Sequence, residues 1–125
     1  MKNTKQMGIW MDHSIAHMIK LRNGKIITLT IGSQPEALED DQKVYKDESH
    51  SLNKEKRLLL TYFKKIGDIV LDNEEVILFG PTEAKNELLN HLSKDHLFDQ
   101  IKINVCPADK MTESQRSKFV IDYFK

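Results

Sequence analysis

The sequence predicts one α/β domain in which three antiparallel strands lead into alternating helices and strands. Three observations carry that expectation. Near the N-terminus Met7, Ile9 and Met11 alternate with Gly8 and Trp10, the period-two signature of a strand. Arg22-Asn23-Gly24-Lys25 then places an Asn-Gly pair between apolar runs, and these residues accept the positive φ angles of a type I′ hairpin. Further on, the apolar run 76–79 stops at Gly80-Pro81 and passes directly into an amphipathic stretch ending near Leu92, so a strand feeds a helix without a linker.

The elements follow in order. Asp12-His13 forms a tight turn between the first strand and a second over residues 14–21, and 26–31 is the return strand of the Asn-Gly hairpin. Periodicity then vanishes over residues 32–50. Gly32-Ser33-Gln34-Pro35 ends the strand, and Glu36, Glu39, Asp40 and Asp41 make an acidic stretch that reads as a mobile surface loop, of a length also seen in functional loops. A helix is expected over 52–71, where Leu59, Tyr62, Phe63, Ile66, Ile69 and Val70 form a buried stripe. Asp72-Asn73 breaks the chain before the strand 76–79. A second helix over 82–94 buries Ala84, Leu88, Leu89 and Leu92. The strand 101–106 leads through Pro107-Ala108-Asp109-Lys110 to a last helix. Thr112 and Gln115 make a capping box at its start, and Phe119, Val120, Tyr123 and Phe124 form its core face. The order β-β-β-α-β-α-β-α is the ribonuclease H-like one, a mixed sheet with helices on its faces.

A chain of 125 residues with 39% hydrophobic content can bury a full core without metal or disulfides. Its longest apolar run falls far short of the roughly 20 residues of a membrane span. No signal-peptide pattern opens the sequence and Cys106 is the sole cysteine, so a cytoplasmic protein with no membrane partner is expected. Cys106, ahead of Pro107, reads first as a buried thiol and only second as a nucleophile. Basic and acidic residues both total 19, so binding to nucleic acid would need a local basic patch in place of a global excess.

Several residues carry a chemical and a plainer interpretation. Asp12 could be the first-strand carboxylate of a metal-dependent nuclease, with Asp109 as a second, or it could cap its own turn. His13 and His17 lie on a turn and a strand without a cysteine or a His-Glu-x-x-His pattern, so no metal site is expected, and a binding or packing role suits each. His91 and His96 flank the end of the second helix, where a cation complements the helix dipole. Gly80, Pro81, Thr82 and Lys85 could hold an anion at a helix start, although the same residues make a good strand-to-helix connection and Glu83 would repel an anion. Lys54, Lys56, Arg57, Lys64 and Lys65 lie off the apolar stripe of the long helix, as an RNA-facing patch or as solvated lysines.

The stretch Ile9-Trp10-Met11-Asp12-His13-Ser14-Ile15-Ala16-His17 resembles the opening of small bacterial proteins classed as translational machinery components. These are similar to the middle domain of eukaryotic and archaeal class-one peptide release factors and of the ribosome-rescue factor Pelota. Val76-Ile77-Leu78-Phe79-Gly80-Pro81-Thr82-Glu83-Ala84-Lys85-Asn86-Glu87-Leu88 and Ala108-Asp109-Lys110-Met111-Thr112-Glu113-Ser114-Gln115 are the second and third matching blocks. The resemblance implies a ribosome-, RNA- or protein-contacting module with no cofactor. Release factors carry a Gly-Gly-Gln tripeptide on a mobile loop. Here Gly32-Ser33-Gln34 stands at the start of the long loop, with Ser at the second place and Pro35 next, where a second glycine would supply backbone angles closed to other residues. Pelota-like domains lack the tripeptide, and the chain is expected nearer to them. Three functional classes follow: a non-catalytic translation-associated binding domain, a nuclease using Asp12, and a homo-oligomeric interaction module with an open sheet edge.

Overall fold

The computed structural model describes residues 4–33 and 48–125. Strands β1 (Gln6–Met11), β2 (Ile15–Arg22) and β3 (Lys25–Gly32) are followed by α1 (Glu48–Val70), β4 (Glu75–Gly80) and α2 (Ala84–Ser93). A short 3-10 turn (His96–Phe98), β5 (Lys102–Pro107) and α3 (Glu113–Tyr123) complete the order. This is the β-β-β-α-β-α-β-α arrangement expected from the sequence. The five strands form one sheet in the order β3-β2-β1-β4-β5. β1–β2 and β2–β3 are antiparallel, whereas β1–β4 and β4–β5 are parallel.

Local chemistry sets the joints. Asn23 and Gly24 have φ of 52° and 80°, the paired positive angles of a type I′ turn. Thr112 accepts from the Gln115 amide at 3.2 Å while the Gln115 side chain accepts from the Thr112 amide at 2.9 Å, which closes the capping box of α3. α1 begins at Glu48, ahead of the expected residue 52, so the end of the expected 32–50 loop is helical; its residues 34–47, Gln34 among them, lie outside the described residues.

The core has two layers. On one face Met7, Ile9, Met11, Val76 and Leu78 pack under Tyr62, Phe63, Ile66 and Val70 of α1 and Leu88 and Leu92 of α2. On the other, Trp10, Ile19, Ile77 and Phe79 pack against Val120 of α3. β1 and β4 are therefore buried on both faces, as their continuous burial beyond the first residue shows. Full burial of each large side chain contributes about 1.5–3 kcal/mol before entropy is counted. At the opposite end of the strands, Arg22 donates to Asn73 Oδ1 at 2.8 Å and the buried Asn73 donates to Ile69 O at 2.9 Å, tying the end of α1 to β2. No described helix is long and apolar enough to cross a membrane.

Gly8 is where α3 comes closest to the sheet, since a Cβ there would collide with the side chain of Val120. Gly8→Ala should therefore lower the unfolding free energy by about 1–3 kcal/mol in urea titrations. Combining it with Val120→Ala should cost less than the sum of the two single changes, because the shortened side chain frees the space. Strict additivity would place the clash elsewhere.

Candidate functional site at the carboxyl edge of the parallel strands

Parallel pairing of β1, β4 and β5 brings three loops to one edge of the sheet: residues 12–14, 81–83 and 108–112. The carboxyl edge of parallel strands is where open α/β sheets hold ligands. Three of the sequence-derived candidates, Asp12, the Gly80-Pro81-Thr82 junction and Asp109, are thus neighbours in topology.

Their polar groups are largely engaged by the chain itself. Asp12 Oδ1 accepts from the amides of Ser14 at 2.8 Å and Ile15 at 2.9 Å, and the Asp12 carbonyl accepts from the Tyr62 hydroxyl at 2.8 Å. The Asp12 carboxylate therefore closes the β1–β2 turn while α1 clamps its main chain from one face. Burial pushes the pKa of the Tyr62 hydroxyl far up, with the Asp12 charge adding to it, so this donor stays protonated. Asp109 is exposed, and its carbonyl accepts from the Trp10 indole on the other face of the sheet at 3.2 Å. The two aspartates are anchored from opposite layers. Among the described residues no group of three or more His, Cys, Asp or Glu side chains is placed to hold a metal ion.

Gly80 has φ of 147°, and a Cβ there would collide with the Met11 carbonyl. Only glycine lets β4 pass β1 this closely before Pro81 turns the chain. α2 then starts at Ala84, two residues after the expected Thr82. Thr82 Oγ1 accepts from the Ala84 amide at 3.2 Å, and the Glu83 carboxylate accepts from the Asn86 side chain at 2.7 Å. Lys85 is only 6% exposed and its ammonium donates to the Thr82 carbonyl at 2.6 Å. Thr82 and Lys85, two of the residues that made this junction look like an anion cradle, are bonded to each other, and the Glu83 carboxylate stands at the helix start.

The two histidines part company. His13 Nε2 lies 3.0 Å from Glu87 Oε1 and links the β1–β2 turn to α2. His17 sits opposite Trp10 in the β1–β2 ladder, on the α3 side of the sheet, with Nδ1 3.2 Å from Thr30 Oγ1 and its ring centroid 5.8 Å from that of Trp10. Arg116 of α3 completes this second cluster, its guanidinium 5.9 Å from the Trp10 centroid. Burial first, and the Arg116 charge second, hold the His17 pKa below its ordinary 6.5, against the opposing pull of Asp12 and Glu113. Arg116 and Tyr62 were not singled out by sequence reasoning as site residues. Tyr62 falls within the apolar stripe of α1, and Arg116 gains meaning only once α3 lies beside Trp10.

Lys56, Arg57, Lys64 and Lys65 are exposed on α1, with Leu60 49% exposed among them, and Lys54 is half-buried on the same helix. Lys64 lies 3.7 Å from Asp68 in an exposed pair, which contributes little.

No protein-family model and no curated protein matches the chain. Solved structures do. The fold is similar to that of Pelota from Archaeoglobus fulgidus, with a TM-score of 0.60 at 12% identity over 97% of this chain and 32% of that one. Pelota from Thermoplasma acidophilum gives a TM-score of 0.60 at 17% identity over 94% of this chain and 32% of that one. An archaeal translation termination factor gives 0.54 at 14% identity over 98% of this chain and 39% of that one. The chain spans about a third of the length of these proteins. The five-stranded mixed sheet with three helices is thus the middle-domain-like fold that the sequence resemblance implied.

Two outcomes follow from the turn chemistry. Asp12→Ala should cost about 1–2 kcal/mol of stability by leaving two turn amides without their acceptor, whereas Asp12→Asn, which keeps an oxygen at that place, should cost much less. Urea midpoints separate the two. For His17, the folded-state pKa lies below the unfolded one, so the unfolded chain binds more protons and stability falls as pH drops through 6.5 towards the folded value. His17→Gln should flatten the loss of stability as pH falls below 6.5.

Proposed function

We propose that this domain is a non-catalytic, translation-associated binding module that docks on ribosomal RNA or a ribosome-bound protein through the exposed face of α1. The observation that carries this is the likeness of nearly the whole chain to the Pelota and termination-factor fold, in proteins that share only 12–17% identity with it. Lys56, Arg57, Lys64 and Lys65 give the module a local cationic face on a chain of zero net charge. The structural duty of Asp12 supports binding over hydrolysis, because its carboxylate is held by the bonds that close the β1–β2 turn.

A tagged protein run on sucrose gradients from growing and stressed cells should co-sediment with ribosomal particles. Reversing charge at Lys56, Arg57 and Lys64 should weaken that association at least tenfold and make the remainder less sensitive to salt. Absence from ribosomal fractions in every condition would contradict the proposal. Unchanged co-sedimentation of the triple variant would move the interface off α1.

One observation favours a second mode of contact. β3 is an edge strand of eight residues with a single charge, Lys25, at its start, and Ile26 and Ile27 are 42% and 49% exposed. Strands of this kind pair with other chains unless protected. Light scattering that gives a dimer mass, lost on Ile27→Lys, supports self-association through β3; a monomer at high concentration removes it.

A further inference from the structure

A cleft lies on the α3 side of the sheet, where α3 crosses β2 and β3. Its volume is about 180 Å³, and Arg116, Glu113 and Ser117 of α3 face His17, Thr28 and Thr30 of the sheet across it. Ligand sites for drug-sized molecules begin at roughly 300 Å³, so this space suits one ring system and its substituents. Arg116 and Glu113 are one helical turn apart on the same wall. Yet among the described residues no carboxylate lies within ion-pair distance of Arg116, whose recorded bond is from Nη1 to the Met111 carbonyl at 2.8 Å.

The electrostatics select among ligand classes. Arg116 and Glu113 cancel, and His17 is neutral at pH 7 because burial and Arg116 hold its pKa down. The cleft carries no net charge, so a free phosphate gains no net attraction there. What it offers is a fan of donors on Arg116, an acceptor carboxylate on Glu113, hydroxyls on Thr28, Thr30 and Ser117, and two flat groups, the Arg116 guanidinium and the His17 imidazole. A neutral planar ring with both donor and acceptor edges matches that set, and bases are recognised by stacking on such groups with hydrogen bonds along their edges.

We propose that the cleft between α3 and the β2–β3 hairpin binds a single unpaired nucleobase, read by Arg116 and Glu113 and stacked against His17. The base can belong to a free nucleotide or to an RNA strand. The site lies apart from α1 and does not depend on ribosome docking.

Trp10 is the sole tryptophan and lies beneath Arg116, so its fluorescence reports on the cleft. Titrations with the four nucleoside monophosphates and with short single-stranded oligoribonucleotides should give a saturable change, with amide shifts at Thr28, Thr30 and Ser117 in ¹H–¹⁵N spectra. Response to monophosphates points to a free nucleotide, and response to oligomers alone points to an RNA strand. Arg116→Gln and Glu113→Gln, each checked by circular dichroism for an unchanged fold, should weaken binding tenfold or more. The same response from inorganic phosphate or from free amino acids would overturn the proposal. So would silence of both fluorescence and amide shifts towards every base, or undiminished binding by both variants. Because every probe is ribosome-free, failure here is distinct from failure to co-sediment.

Discussion

Burial of β1 and β4 on both faces is the constraint on which the rest of the molecule depends. A strand pair that exposes neither face needs helices above and below, and α1 and α2 supply one layer while α3 supplies the other. The parallel pairing of this central couple also fixes where chain ends meet. β1 and β4 must finish side by side, and the close pass of Gly80 against the Met11 carbonyl marks that point. Gly8 plays the matching part for α3, which reaches the sheet only because no side chain stands in the way of Val120.

Charged groups at the carboxyl edge follow from that geometry. Where β1 and β4 end together, main-chain amides and carbonyls lose their ladder partners and must find others. Asp12 takes up two amides, Tyr62 donates to a carbonyl, and Lys85 donates to another from a buried position. A carboxylate and an ammonium beside a glycine turn look like chemistry in a sequence. In the fold they are the means by which two adjacent turns are held. Elsewhere α1 carries an exposed cationic face, and a balanced pair of charges lines the cleft beneath α3.

What could be read from the sequence was decided locally. The Asn23-Gly24 hairpin, the Thr112–Gln115 capping box, the α1 stripe and the element order each depend on residues a few positions apart, and each is present in the fold. The start of α1 at Glu48 was not readable, because the acidic residues before it carry no apolar periodicity. Nor was the late start of α2, since Thr82 looks the same in sequence whether it caps the helix or braces the turn before it. Groups that meet across the fold had no local signal at all. His13 reaches Glu87 across 74 positions, and Trp10, His17 and Arg116 converge only after β1 pairs with β2 and α3 closes over them. Nor was the enclosure of Lys85 readable, because a lysine one turn into a helix is normally solvated.

In the proposed role, the exposed face of α1 is the surface that meets the translation apparatus. Site-specific photocrosslinking tests this directly, with a photoreactive residue placed either at Lys64 on α1 or at the exposed Lys102 at the start of β5. In cells, the probe at position 64 should crosslink to ribosomal RNA or to a ribosomal protein, and the probe at position 102 should not. Crosslinks from position 102 alone, or none to ribosomal components from either position, would contradict it.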